Sequence, residues 1–168
     1  GAKIDTITFA GNGEPTLHID FAGIIDDTCR LRDSYFPNAK IALLSNSTTI
    51  SGTKIQQSLK KIDLPILKLD SVNPETIKLL NCPLGIFNID RIIEVLKQIE
   101  KTIIQTMFVR GTYKNKTIDN TIESEINPWL KALEAIKPSM VMIYTIDRDT
   151  PFDTLKKVPL KDLEAIAA

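Results

Sequence analysis

Short apolar runs alternate along the chain with stretches in which apolar residues return every three or four positions. The first run, Ile4 to Ala10, alternates as a strand does, with Ile4, Thr6 and Thr8 on one side and Ile7 and Phe9 on the other. A helix is expected from about Phe21 to Phe36, with Asp20 as N-cap and Pro37 just beyond its end. Phe21, Ile24, Ile25, Leu31 and Tyr35 form its apolar stripe, and Cys29 between them reads as a core thiol. Lys40–Leu44 is nearly all apolar, as a buried parallel strand should be. A short helix of about Gly52–Lys61 and a strand at Ile66–Leu69 follow. Asn73-Pro74-Glu75 then reads as N-cap, first-position proline and first-turn acid of a helix ending near Leu80. Asn88 caps a helix of about Ile89–Lys101, which leads into a strand at Ile103–Val109. The polar stretch Thr112–Thr121 reads as a loop. A helix around Trp129 with Pro128 near its start, a strand at Met140–Tyr144 and a helix opened by Pro159 complete the pattern. Trp129 is expected to pack rather than to stack on a ligand.

Five strands alternating with helices predict a parallel α/β domain with right-handed crossovers. Loops after the strands carry Glu14, Ser45, Asn46, Asp70, Ser71, Arg110, Asp147 and Arg148, whereas loops before them, such as Pro37-Asn38-Ala39, are spare. Ligand-binding residues of barrels and open α/β sheets lie at the C-terminal strand ends, so this asymmetry marks one end of the sheet.

Composition narrows the classes. The chain of 168 residues is one domain's worth, and its 43% hydrophobic content is ordinary for a globular protein. Its 21 basic residues balance 21 acidic ones, with no long run of like charge, so neither nucleic acid nor an anionic membrane is indicated as a partner. No apolar run is long enough to span a bilayer. Two cysteines, Cys29 and Cys82, without a pattern suggest a reducing, cytoplasmic setting. With one histidine they cannot build a thiolate or imidazole metal site, so no metal ligand is assigned within the chain.

The informative stretch is Gly11-Asn12-Gly13-Glu14-Pro15-Thr16-Leu17-His18, where the first strand hands over to the first helix. Glu14 would repel a phosphate, Pro15 removes a donor, and Thr16 stands where a dinucleotide fingerprint needs its third glycine. Exposed carbonyls with one carboxylate suit a cation such as a ligand's ammonium group; a tight turn with a solvated glutamate is the alternative. His18 reads as a turn-stabilising hydrogen-bond partner.

Phe9-Ala10-Gly11-Asn12-Gly13-Glu14-Pro15-Thr16-Leu17-His18 resembles the glycine-glycine-glutamate-proline motif of the radical S-adenosylmethionine (SAM) enzymes, with an extra residue between the glycines. Ser45-Asn46, Leu67-Lys68-Leu69-Asp70 and Ile143-Tyr144-Thr145-Ile146-Asp147-Arg148 fall where that family has ligand-contacting strand ends. The resemblance implies a partial (β/α) barrel of the TIM-like radical SAM type, about five βα units, forming a single domain over residues 1–168 that is truncated at both ends. It implies a parent similar to the pyruvate formate-lyase-activating and Fe–S oxidoreductase-type members. Such a parent would cleave SAM reductively with a 4Fe–4S cluster and abstract a substrate hydrogen through a 5′-deoxyadenosyl radical, drawing on an electron donor. The family's C-x3-C-x2-C cluster loop is not found here, so the chain is expected to have lost the first strand and that loop, and to be inactive by itself. Self-association along the bared edge at Ile4–Ala10 is a further expectation.

The resemblance implies that Glu14, with the backbone of Asn12 and Gly13, takes the amino group of SAM. Ser45 and Asn46 either bond a ribose or carboxylate or cap their strand. Asp70 either accepts from ribose hydroxyls or forms a turn with Ser71. Arg110 either forks onto the methionine carboxylate or pairs at the barrel rim, and Tyr144 either flanks the adenine or packs in the core. Two other functions stay open: a cluster-free barrel lyase using Glu14, Lys68 and Asp70, and a non-catalytic α/β module binding an amine-bearing ligand.

Overall fold

The computed structural model describes residues 3–11, 13–83, 87–147, 150 and 152–168. Strand β1 (Thr6–Phe9) leads through a 3-10 turn (Pro15–Leu17) into α1 (Phe21–Tyr35). Then come β2 (Lys40–Ser45), α2 (Thr53–Leu59), β3 (Leu64–Lys68), α3 (Pro74–Asn81) and α4 (Ile89–Leu96). The chain continues through β4 (Ile103–Tyr113), β5 (Lys116–Asp119), α5 (Glu123–Ile136), β6 (Met140–Thr145), β7 (Leu155–Lys157) and α6 (Leu160–Ala167).

The five expected strands form a parallel sheet in the order β1-β2-β3-β4-β6, each beside its predecessor, as in a partial (β/α) barrel. The two faces differ because successive side chains point opposite ways. Ile41 and Leu43, Leu67, and Ile104 and Phe108 are buried against Phe21 and Ile25 of α1, Ile77 of α3, Leu96 of α4 and Trp129 of α5. Burying each such side chain contributes on the order of 1.5–3 kcal/mol. The face away from the helices carries Leu44, Lys68, Gln105, Met107 and Tyr144, all half-buried. Trp129 packs as expected: it meets Phe108 edge-on at 5.4 Å, and its indole N–H donates to Thr106 Oγ1.

The caps at Asn73 and Asn88 form as the sequence predicts, each side chain accepting from a first-turn N–H. Asp20 stands at the N-cap of α1 without a side-chain cap bond. Helix α4 stops at Leu96, short of the expected Lys101. Helix α5 begins at Glu123, well before Pro128, which it accommodates internally. Its first-turn acids Glu123 and Glu125 suit the positive end of the helix.

The stretch Thr112–Thr121 is not a loop. β4 runs on past the parallel sheet and turns through Lys114-Asn115, both at positive φ, into antiparallel β5. Two left-handed residues make the turn whose twist suits a hairpin. β7 pairs antiparallel on the other side of the extension, Gly111 opposite Leu155. Gly111 has φ +138°, and a Cβ there would collide with the Thr154 carbonyl oxygen. No helix among the described residues is long and apolar enough to cross a membrane.

Candidate cofactor site at the strand ends

Glu14 caps the 3-10 turn, and its carboxylate reaches two loops. Oε1 accepts from the Thr16 N–H at 3.1 Å and from the Thr16 hydroxyl. Oε2 accepts from the Asn46 N–H at 2.6 Å. The Thr16 hydroxyl also bonds the Thr49 hydroxyl, tying the loop after β1 to the loop after β2. His18 Nδ1 accepts from the Asp20 N–H, the turn-stabilising bond expected of it.

The loop after β2 is built by its own side chains. Ser45 Oγ accepts from Ser47 N, and Asn46 Oδ1 accepts from the N–H and hydroxyl of Thr48. Ser47 sits in the left-handed region at φ 65°, and its hydroxyl donates to the Lys68 carbonyl at 2.8 Å. A non-glycine residue in that region costs on the order of 1 kcal/mol or more, here offset by the bond to β3.

Lys68 ends β3 on the open face. Its ammonium lies 2.9 Å from Asp70 Oδ2, and its side chain is 24% exposed. Burial works against this charge, but Asp70 and the Tyr144 hydroxyl outweigh it and hold the Lys68 pKa above the usual lysine value. Burial likewise pushes the Tyr144 phenol up, against the pull of Lys68.

Asp70 is fully enclosed, with 0% of its side chain exposed. Oδ1 accepts from Met107 N at 2.8 Å, and Oδ2 accepts from Asn81 Nδ2 at 2.8 Å besides pairing with Lys68. Both oxygens are engaged within the fold and the side chain is closed to solvent, so Asp70 is not presented to a ligand as half-buried Glu14 is. Buried Asn120 continues the network, accepting from Val109 N and donating to the carbonyls of Asp70 and Met107. Buried Glu125 accepts from Ser71 Oγ, Asn73 Nδ2 and Thr76 Oγ1, fastening the loop after β3 to the start of α5.

An open cleft of about 410 Å3 at the C-terminal strand ends is lined by Ala10, Gly11, Gly13, Glu14, Leu44, Ser45, Asn46, Lys68 and Gln105. It gathers Gly13, Glu14, Ser45 and Asn46 from the sequence-predicted set; Asn12 lies outside the described residues. A Cβ on Gly11 or Gly13 would meet no atom within 4 Å, so the space beside this backbone is open. Arg110 is elsewhere: its guanidinium donates to Thr121 Oγ1 and to Asp162 Oδ2 at 2.7 Å, the rim pairing rather than the carboxylate fork. Tyr144 faces a neighbouring cavity. The sequence places Lys68 within a strand-end stretch of the resembled family but gives it a named role only in the lyase alternative, and it does not single out Gln105. The available signal was a polar residue breaking an apolar strand, Lys68 at the last position of β3 and Gln105 early in β4; the two stand side by side in the register. A lysine that must attack a carbonyl needs a lowered pKa, and Lys68 is shifted the other way.

No three His, Cys, Asp or Glu side chains among the described residues converge as a metal group. With two cysteines in the whole sequence, the chain does not supply the ligands of a 4Fe–4S cluster.

No family model matches the chain. It is 27% identical over 162 residues to GTPase Obg of Brachyspira hyodysenteriae, covering 96% of this chain and 23% of that protein. This sequence contains no G-x-x-x-x-G-K-[ST] phosphate loop. It is 31% identical over 134 residues to a UPF0026 protein of Methanocaldococcus jannaschii, covering 75% of this chain and 40% of that one. A shorter match, 33% over 76 residues, links it to an S-adenosylmethionine-dependent nucleotide dehydratase of Selenomonas ruminantium, covering 44% of this chain and 25% of that one. The chain spans from about a quarter to about half the length of the curated relatives it matches.

Among solved structures, Streptococcus suis SuiB bound to S-adenosylmethionine superposes with a TM-score of 0.66 at 20% identity, over 96% of this chain and 35% of that one. A domain of pyruvate-formate lyase-activating enzyme from Bacteroides vulgatus superposes at 0.68 and 15% identity, over 96% of this chain and 90% of that one. The fold is thus the partial (β/α) barrel of the radical SAM type.

Proposed function

We propose that this chain is the SAM-binding part of a radical SAM Fe–S oxidoreductase. The observation that carries the reading is the carboxylate of Glu14, aimed by Thr16 and the Asn46 N–H at the edge of a cleft that Lys68 also lines. A carboxylate and an ammonium lining one cleft complement the two charges of an α-amino acid, such as the methionyl end of SAM. Glu14 accepts from the ligand's amino group and Lys68 donates to its carboxylate, the part first expected of Arg110. The backbone of Gly13 lies along the amino group, approached through the open space beside Gly11 and Gly13. Ser45, Asn46 and Gln105 offer polar groups to the ribose, while Asp70 acts through Lys68 by holding it in place. Two comparisons support SAM as the ligand: the fold of SuiB, whose structure is described as bound to it, and the sequence of the dehydratase named for it.

When bound, SAM supplies a sulfonium open to one-electron reductive cleavage. The cluster for that reduction has no ligand set in this chain, so the chain alone binds SAM weakly and does not turn it over. Equilibrium dialysis with SAM tests the reading. Binding should weaken at least tenfold in both Glu14→Gln and Lys68→Met. Unchanged binding in Glu14→Gln, or no binding by the unaltered chain at millimolar SAM, overturns it.

A further inference from the structure

We infer that the cavity beside the cofactor cleft takes a neutral, largely apolar small molecule carrying one hydrogen-bond acceptor, as the parent's substrate. The cavity measures about 540 Å3, within the usual range for small-molecule sites. Its described walls are Leu79, Met107, Ile118 and Leu155, together with Tyr113 and Phe152, whose rings meet edge-on at 4.7 Å. The only charged side chain among the described lining is Asp147, which is 98% exposed and turned to water. A ligand charge placed against these apolar walls would lose its water with no buried counter-ion among the described lining to replace it, which favours a neutral occupant. Of the cavity's polar lining groups, the Thr145 and Thr150 hydroxyls are bonded within the fold, which leaves the phenols, with Tyr144 the one on the sheet face it shares with Lys68.

Two relationships join cavity and cleft. Met107 and Tyr144 are register partners that line the cavity, and Lys68 and Gln105, register partners on the same face, line the cleft. A molecule in the cavity therefore lies next to a ligand in the cleft. The assignment as substrate rests on the cofactor reading above; the binding chemistry rests on the cavity alone.

The probe is prodan, a neutral naphthalene bearing one ketone, titrated into the 168-residue chain and followed by its blue-shifted emission. One saturable site is expected, with naphthalene-2-sulfonate binding at least tenfold more weakly. Leu79→Trp, which fills the cavity from a half-buried position, should weaken prodan at least tenfold. Tyr144→Phe should weaken it about three- to tenfold, the value of one hydrogen bond. Glu14→Gln should leave prodan unaffected, which separates this site from the cofactor cleft. Non-saturable binding, indifference to Leu79→Trp, or equal affinity for the sulfonate overturns the inference even where SAM binds as proposed. Saturable prodan binding in a chain that fails to bind SAM keeps the cavity as a neutral-ligand site and removes only the word substrate.

Discussion

Glu14 and Asn46 are joined at 2.6 Å, the Asn46 N–H donating to Glu14 Oε2 across two loops. The bond makes the motif glutamate part of the sheet's end rather than a free side chain. Glu14→Ala removes this acceptor and that for Thr16 together, and charge-assisted bonds of this kind contribute about 1.5–3 kcal/mol. Half-burial lowers the figure, so a loss of about 1–2 kcal/mol in urea denaturation is expected. Glu14→Gln, which keeps one acceptor, should lose less. A Glu14→Ala chain as stable as the unaltered one would show that the clamp has no structural weight and that the carboxylate's orientation is incidental.

Asp70 should be the most sensitive polar position. Asp70→Ala leaves Lys68 half-buried without its counter-charge and orphans the Met107 N–H and the Asn81 amide. Breaking a buried pair from one side costs about 3–5 kcal/mol. Adding Lys68→Met removes the stranded charge, so the double variant should regain part of the loss. Denaturant midpoints of the two single variants and the double form the cycle; strict additivity would mean that the two side chains do not depend on each other.

Alkaline pH should loosen the same cluster. Lys68 and Tyr144 both hold their protons more tightly in the fold than in the unfolded chain, where the values are about 10.4 and 10. Their contribution is therefore complete below about pH 10 and is lost as pH rises through the folded values. Each proton bound preferentially by the native state steepens the fall by about 1.4 kcal/mol per pH unit. Burial also raises the Cys29 thiol, which acts with the same sign at lower pH. The comparison accordingly uses a Cys29→Ala background. Urea midpoints above pH 10 should fall less steeply in Lys68→Met/Tyr144→Phe than in that background, and parallel slopes would contradict the assignment.

What could be read from the chain depended on whether the relevant physics was local. The parallel strands were legible because a strand buried on both faces must be apolar throughout, as Lys40–Leu44 nearly is. Helix starts at Asn73 and Asn88 were legible because capping acts within one turn. The β4–β5 hairpin was not, since strands that face water carry the same lysines and asparagines as loops do. Glu14 stood out by its motif. The meeting of Lys68 with Tyr144 depends on how β3 and β6 flank β4, and nothing in either segment announces the other. Arg110 was legible as a strand-end cation, yet its partner Asp162 lies fifty-two residues away on α6.

Gly111 is where the antiparallel extension meets its second neighbour. The residue has φ +138°, which side chains other than hydrogen rarely adopt, and β7 passes so close that Leu155 Cα would stand 2.9 Å from an added Cβ. Gly111→Ala therefore adds backbone strain of about 1–3 kcal/mol and an overpacked contact of similar size. The cheapest relief is for β7 to leave β4, because β4 keeps its other partners β3, β5 and β6. Loss should be confined: amides of residues 155–157 exchange faster, while those of Ile41–Leu44 and Ile103–Phe108 stay protected. Leu155 also walls the apolar cavity, so prodan should bind the variant more weakly with no change in SAM. Uniform loss of protection would instead place β7 in the cooperative core, and unchanged exchange at residues 155–157 would mean that the close approach at Gly111 yields without cost.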